Sequence, residues 1–451
     1  MSNIGIFHYK VGGTDGVSLE IIKWKNVLEK LGHKVFLCAG DLGGTQGTLI
    51  REMYHHTPEA ERLYLNTFKS LSDFPDNTVY ASALERLSIQ IEKKLDQFIE
   101  ENEIALLLPN NIWSVGANPA VALALTRSLR KYNLPALAHH HDFYYERLDG
   151  LALTCQTAVE LADKYLPPRD VQIKHVVINK IAQHELMERK GIASTVIPNV
   201  FDFNGKSWGP DDYNKDFLGQ IGLRQNDVVI LQAVRLVPRK GIELAIDLVC
   251  ALNKQKRRAK LKKHGLYDGR VFNDESRIVL VLAGYAQDDL TGRYVVALKE
   301  KIRRTGVDAL FIENEIRGSR SFDGVKKKYS LWDSYVFADF VIYSSLWEGW
   351  GNQLLEAVYA RLPIAIFEYP VYKIDIKEKG FRFIPLGFQV SGKDDLGLAY
   401  LDQQVIEKAA DRIIDYLVDS DLRVEDTEYN YSIGEEHYSY ASLHRYLEGL
   451  I

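Results

Sequence analysis

Two glutamates, Glu348 and Glu356, stand with seven residues between them in the run Ser344-Ser345-Leu346-Trp347-Glu348-Gly349-Trp350-Gly351-Asn352-Gln353-Leu354-Leu355-Glu356-Ala357. Carboxylates are strong acceptors for the paired hydroxyls of a sugar or a ribose. A glycine-containing loop carrying Glu348, followed by a helix that opens near Asn352, would offer one ligand both a carboxylate and free helix N–H groups. Upstream, Ala233-Val234-Arg235-Leu236-Val237-Pro238-Arg239-Lys240-Gly241 sets an arginine and a lysine five residues apart between an apolar run and a helical pattern. Arg235 grips oxygens in a planar fork and Lys240 acts as a point charge, so the two can converge on one phosphate; the plain alternative is a solvated basic loop. Near the amino end, Val11-Gly12-Gly13-Thr14-Asp15-Gly16-Val17-Ser18 leads from an apolar run into a helical one. Such a loop either lets an anion approach the backbone and the helix N-terminus or is a tight turn, and it lacks the glycine order of dinucleotide and P-loop motifs.

Three adjacent histidines, His139, His140 and His141, precede Asp142 at the end of another apolar run. Neighbouring side chains of an extended chain point to opposite faces, so His139 and His141 can share a ligand and His140 cannot join them. That disfavours a metal site. A histidine that hydrogen-bonds substrate hydroxyls, oriented by Asp142, fits the position better. No Ser-His-Asp or Cys-His nucleophile arrangement stands out, and no aspartate pair suggests a metal-bound donor.

The elements that must position these residues alternate along the chain. Short β-branched runs, Ile4 to His8, His33 to Ala39, Ile104 to Leu108, Ala136 to His140, His175 to Ile178 and Thr195 to Ile197, are separated by amphipathic stretches such as Ser18 to Leu31 and Leu84 to Glu101. A second series, Val228 to Ala233, Ile278 to Ala283, Ala309 to Ile312, Phe340 to Ser344 and Ile364 to Phe367, follows the polar stretch Asp202 to Asp216. This is the pattern of parallel sheets with crossover helices, run twice. Single cores stop growing at about 250 to 300 residues, so two doubly wound α/β domains are expected rather than one sheet.

The chain has 451 residues, 46% hydrophobic and 26% charged, which excludes a disordered, collagen-like or disulfide-scaffold protein. A formal charge of −5 supplies no field for nucleic acid, so any anion must be held locally. The three cysteines, Cys38, Cys155 and Cys250, form no CxxC pair, lie in apolar strings and read as buried thiols. No signal-peptide or membrane-span pattern is evident, which sets the expectation of a soluble, cytoplasmic protein. Two polar insertions, Asn253 to Glu275 with the basic run Lys254 to Lys263, and Arg317 to Tyr329, are either solvated faces or weak contacts for an anionic surface.

Taken together, the early glycine loop, the His-Asp pair, Ile197-Pro198-Asn199, the Arg235 to Gly241 stretch and the Glu348 to Glu356 frame resemble the retaining nucleotide-sugar glycosyltransferases of family 4. The motifs occur in the expected order over almost the whole chain. The resemblance implies GT-B architecture: an acceptor-side domain over 1–200, a donor-side domain over 201–430, two Rossmann-like halves facing a cleft, and a tail over 431–451 that returns to the first. Leu443, Tyr446 and Leu447 would supply the apolar face of that tail. It further implies that Arg235 and Lys240 bind the donor diphosphate and stabilise the leaving group. Glu348 would contact the transferred sugar, with Gly349, Trp350, Gly351, Asn352 and Gln353 beside it, and Glu356 would hold the ribose. Gly12 and Gly13 would line the donor side, and Thr14, Asp15, Gly16, His140 and Asp142 the acceptor side; His141 is the expected sugar-contacting histidine, with His140 as its substitute.

The implied activity is retaining transfer of a hexose, of the UDP-glucose or GDP-mannose type of donor, to an alcohol or sugar acceptor, with no cofactor and no essential metal. An epimerase of the same fold and an inactive sugar-nucleotide binder are the alternatives. Two departures from the family pattern bear on specificity. The glycine usual after the Pro-Asn pair is replaced by Val200. Asn352 and Gln353 stand where small residues and proline are usual, and Asn352 either bonds the sugar or caps the helix. Lys10 either meets an anionic acceptor or lies at the surface, and the segment from Arg51 to Phe74 is a candidate acceptor lid.

Overall fold

The computed structural model describes residues 1–13, 15–146, 151–284 and 292–451. It divides into two units, Met1–Val200 with Tyr440–Ile451, and Phe201–Ser439.

The first unit is built on seven strands: β1 (Asn3–His8), β2 (Lys34–Ala39), β3 (Thr48–Leu49), β4 (Leu106–Pro109), β5 (Ala136–His140), β6 (Ile173–Val177) and β7 (Ser194–Val196). They form one parallel sheet in the order β3-β2-β1-β4-β5-β6-β7. The period-two alternation of a strand splits its side chains between two covered faces. Ile4, Ile6, Leu37, Leu108 and Leu137 enter one core with Ile21, Trp24 and Leu28 of the helix Gly16–Lys30. Phe7, Cys38, Leu107, Ala136 and Ala138 enter the other, under the helices Asn77–Glu101 and Pro119–Tyr132. The helix Pro58–Phe68, inside the segment read as a candidate acceptor lid, buries Leu63 and Phe68 in this second core. Cys38 is buried as expected, whereas Cys155, at the cap of the helix Gln156–Tyr165, and Cys250 are only half-buried; all three are free thiols.

The second unit carries the strands β8 (Val228–Gln232), β9 (Ile278–Leu282), β10 (Ala309–Phe311), β11 (Ile316–Arg317), β12 (Ser321–Asp323), β13 (Lys326–Ser330), β14 (Phe340–Tyr343), β15 (Ile364–Ile366) and β16 (Ile384–Pro385). Six of them make a parallel sheet in the order β10-β9-β8-β14-β15-β16. Its central strands are buried along their whole length, which is why they read as continuous apolar runs rather than alternating ones. The insertion Arg317 to Tyr329 folds with β11 into a small sheet of its own, in the order β11-β13-β12.

The basic run Lys254 to Lys263 forms the helix Gln255–His264 against the helix Gln403–Val418. Arg257 pairs with Glu407 at 2.8 Å and Asp411 at 2.9 Å, Lys260 with Asp415 at 2.7 Å, Lys254 with Glu407 and Lys262 with Asp274. Acidic partners inside the same unit therefore absorb much of the charge that sequence alone left open to an anionic surface. Among the described residues no helix is long and apolar enough to cross a membrane.

The carboxyl-terminal return begins at Tyr440, not at residue 431. The helix Ser420–Tyr438 stays with the second unit, where Tyr431 Oη donates to Phe203 O at 2.7 Å and Arg361 stacks on the Tyr431 ring at 3.7 Å. The helix Tyr440–Glu448 then places Leu443 and Leu447 at zero exposure in the core with Ile21, Trp24 and Leu28. Tyr446 lies off that stripe and is exposed, contrary to the expectation for it. Replacing Leu443 by Ala should cost about 2–5 kcal/mol, as truncation of a packed leucine does. Tyr446→Ala should change stability by less than about 0.5 kcal/mol. Chemical denaturation of the full chain tests the contrast, and equal effects would contradict this placement of the last helix.

Candidate active site

In the second sheet the strand order reverses between β8 and β14, the kind of switch point at which open α/β sheets bind ligands outside the carboxyl ends of their strands. The loops that leave these two strands carry Lys240 and Glu348. Lys240 is 3% exposed and Glu348 5%, and Lys240 Nζ donates to Glu348 Oε1. Arg239 Nη1 donates to Glu348 Oε2 at 2.8 Å, and Tyr343 Oη donates to Oε1 at 3.2 Å. Burial pushes the Glu348 carboxyl up, but the charges of Lys240 and Arg239 outweigh it and hold the group below its ordinary value. Burial also pulls the Lys240 ammonium down, with Glu348 opposing the shift.

The two loops are held together by a backbone bond and by side-chain bonds at Ser344. Leu346 N donates to Arg239 O at 2.8 Å, Ser344 Oγ to Gly241 O at 2.7 Å, and Gln232 Nε2 to Ser344 Oγ at 2.8 Å. Gly241 has φ of 57°, and a Cβ there would lie 2.3 Å from Ser344 O, so only glycine permits this approach. Arg235 remains exposed at the head of the loop, near enough that its charge acts on Lys240.

Beyond Glu348 the helix Asn352–Tyr359 begins at a Gly351 cap, so Asn352 and Gln353 occupy its first two positions and Asn352 does not cap it. The Trp350 side chain is buried against Tyr438, and its carbonyl accepts from Tyr369 Oη at 2.6 Å. That contact fixes the turn from Gly349 to Gly351. Glu356 is 8% exposed and accepts from Tyr335 Oη at 2.9 Å. Loop carboxylate, buried ammonium and helix N-terminus thus come from three neighbouring pieces of one sheet edge.

The first sheet reverses between β1 and β4. The glycine loop follows β1, and a Cβ on Gly12, whose φ is 74°, would lie 2.4 Å from Leu42 O and 2.5 Å from Thr45 Oγ1. Close approach of the 42–45 loop accounts for glycine at this position. Asp15 caps the helix Gly16–Lys30, accepting from Ser18 N at 2.9 Å and Ser18 Oγ at 2.7 Å. Gly13 and Asp15 flank Thr14, which lies outside the described residues, and Gly16 opens the helix.

After β5 the histidines separate by face. His140 Nε2 lies 3.0 Å from His175 Nδ1 and packs on Phe143. His139 stacks on Trp24 at 4.2 Å and meets His141 ring to ring at 4.2 Å. Asn111 Oδ1 accepts from His141 N at 2.7 Å, fixing the backbone there, while the buried His141 Nε2 has no hydrogen-bond partner among the described residues. Asp142 is half-buried just beyond it.

The structure brings Lys240 and Glu348 together and sets His141 apart from His140. Sequence reading passed over Arg239, Tyr343, Tyr335, Tyr369 and Asn111. Arg239 lay in a basic run with nothing to rank it above its neighbours, and the hydroxyl of Tyr343 was hidden inside an apolar strand.

The family model for glycosyl transferases group 1 matches residues 214–384, the stretch that holds Arg235, Lys240, Glu348 and Glu356. Over 422 residues, 92% of this chain and 93% of the relative, the sequence is 38% identical to a mannosylglucosylglycerate synthase of Petrotoga mobilis. A second mannosylglucosylglycerate synthase, from Thermotoga maritima, is 36% identical over 97% of this chain and 96% of its own. The chain belongs to the glycosyl transferase group 1 family. Its fold is GT-B, shared with sucrose-phosphate synthase from Thermosynechococcus elongatus at a TM-score of 0.59 and 13% identity, over 100% of this chain and 98% of that one. The catalytic domain of starch synthase IV from Arabidopsis thaliana follows at 0.57 and 12%, again over 100% and 98%. The enzyme is therefore a glycosyltransferase of the nucleotide-sugar type.

Burial also makes the first unit acid-sensitive. His8, His139, His140, His141 and His175 are all held below the ordinary imidazole value, first by desolvation; His141 falls to about 3 and His175 to about 4. Below pH 6.5 the unfolded chain takes up protons that the folded histidines refuse, so stability is complete above that value and is lost as pH falls toward 4. Each such group contributes a slope of about 1.4 kcal/mol per pH unit. Calorimetry should show the melting temperature falling through this window with proton uptake on unfolding. A flat profile would contradict neutral buried histidines.

Proposed function

We propose that this enzyme transfers a mannosyl unit from a nucleoside diphosphate mannose to the glucosyl unit of a glucosylglycerate, with retention at the anomeric carbon and without an essential metal. The name of the two relatives describes a product with mannose outermost on glucosylglycerate, and their similarity extends over nearly the whole chain. The observation that carries the chemistry is the buried Lys240 and Glu348 pair at the β8/β14 switch point.

An ammonium has three N–H donors. Glu348 engages one of those on Lys240, so the same lysine can hold the carboxylate and a donor phosphate oxygen at once. Arg235, exposed at the loop head, closes on the diphosphate from the other side. As the glycosidic bond breaks, charge develops on the departing phosphate, and preorganised cations in a water-poor site stabilise it without reorganising. Glu348 accepts sugar hydroxyls, the N–H groups at Asn352 and Gln353 face the donor, and Glu356 accepts the ribose hydroxyls. His141 Nε2 serves the transferred sugar. The acceptor hydroxyl attacks on the face that the phosphate leaves and the phosphate takes its proton, so no protein nucleophile is required. Positioning two substrates and stabilising the leaving group account for the rate.

Lys240→Ala should lower kcat by about 10²–10³, the usual cost of removing one such stabilising group. Retention of more than half the turnover would overturn the role assigned to Lys240. Incubation with UDP-, GDP- and ADP-mannose and with the corresponding glucose donors, followed by mass spectrometry with glucosylglycerate present, tests donor and acceptor together. A mannosyl product with one donor, undiminished in excess chelator, is expected. A product only with a glucose donor, sugar interconversion without acceptor, or loss of activity on chelation would each refute its part of the reading.

A further inference from the structure

Two stretches are left unexplained by transfer chemistry: the polar segment Asp202 to Asp216 and the insertion Arg317 to Tyr329. In the second unit they are built onto each other. Tyr213 Oη donates to both Ser321 O and Lys328 O at 2.8 Å, and Lys327 Nζ donates to Tyr213 O at 2.6 Å and Asp216 Oδ1 at 2.8 Å. Arg320 reaches Asp211 at 2.7 Å, grips Asp333 through Nε at 3.1 Å, and lies over the Tyr213 ring at 4.9 Å. Together with the helix Leu331–Val336 and its cap Ser330 the two stretches line an open pocket of about 600 Å³, within the size range of small-molecule sites.

The lining has a definite chemistry. Trp208 and Trp332 stack at 5.5 Å with an interplanar angle of 25°, and Trp332 keeps 42% of its surface exposed. Pro210 and Val336 extend this apolar surface. The partly exposed guanidinium of Arg320 and the exposed hydroxyls of Ser207 and Ser319 also line the pocket, while the Asp333 carboxylate is buried and holds Arg320, Asn214 and Ser330. Two cations, Lys206 and Arg320, are balanced by two carboxylates, Asp211 and Asp333, so the pocket has no net charge with which to select a phosphate or an acid. An exposed indole face accompanied by hydroxyls and a partly exposed guanidinium suits a neutral ligand with an apolar face and a hydroxylated rim. A hexopyranoside is such a ligand. The site is separate from the transfer machinery: Trp208 touches Tyr335, whose hydroxyl bonds Glu356, but neither Lys240 nor Glu348 lines the pocket. Its 206–211 wall also precedes the residues matched by the family model.

We propose that this pocket is a second carbohydrate-binding site that takes a neutral hexoside on the Trp332 face, independently of the donor and acceptor used in transfer. Saturation-transfer NMR on the full chain with methyl α-mannopyranoside and methyl α-glucopyranoside tests it. The sugar-ring signal of at least one glycoside should be seen with the unaltered protein and with Lys240→Ala. It should fall at least fivefold in Trp332→Ala, and equally in Ser207→Trp, which fills the pocket from an exposed position and should leave transfer activity unchanged. Absence of signal with the unaltered protein, or a signal in Ser207→Trp equal to it, would overturn the proposal. So would competition of the signal by free nucleosides, which would mark a base-stacking site instead.

Discussion

A lysine and a glutamate buried together at the ends of two adjacent strands are the constraint around which the second unit is organised. Removing two charges from water costs several kcal/mol per ion, and attraction offsets this only with good geometry and further hydrogen bonds. Lys240 and Glu348 have both, through Arg239 and Tyr343. Neither charge is tolerable alone in that place. The pair therefore requires that the β8 and β14 loops stay in register, and the bonds from Leu346, Ser344 and Gln232 hold them so. Stability argues weakly for such a pair, since a well-packed apolar couple would serve as well; readiness for a charged ligand explains it better.

The same topological device recurs in the first unit with a different filling. Its strand order reverses between β1 and β4, and one strand further on, at the end of β5, the chain places neutral buried imidazoles beside Asn110 and Asn111, not a salt bridge. Strand alternation does the sorting. His139 and His141 share a face with Trp24, while His140 goes to the other side and finds His175. A buried neutral imidazole with an unbonded nitrogen accepts or donates a hydrogen bond without bringing a charge. That suits contact with hydroxyls better than contact with phosphate.

Fold and site were legible in the sequence to different depths. Two series of strands, their division near residue 200 and the Lys240 and Glu348 frame follow from periodicity and spacing, because both are local signals. The face taken by each histidine was legible for the same reason. What stayed hidden depends on which segments meet. Nothing local tells that Arg239 rather than Arg235 rests on Glu348, because the choice is made by the backbone turn at Gly241. The close approach of the 42–45 loop to Gly12 likewise joins segments that no local pattern connects. The boundary placed at 431 failed because the helix Ser420–Tyr438 shows almost no amphipathic stripe, and its allegiance to the second unit is set by Phe203 and Arg361 from far along the chain.

The charge of the molecule shows why density along a sequence is a poor guide to where an anion binds. The richest basic run, Lys254 to Lys263, spends its charges on Glu407, Asp411, Asp415 and Asp274. The insertion Arg317 to Tyr329 does the same with Asp211, Asp216, Glu315 and Asp333. Pairs at such surfaces are screened and contribute little. At Lys240 a buried ammonium and the partly buried Arg239 guanidinium share one buried carboxylate, so the balance among these three groups is positive. Field strength follows desolvation more than count. In a chain with net charge −5 the buried cation therefore lies away from the most basic helix, whose charges meet carboxylates of their own unit.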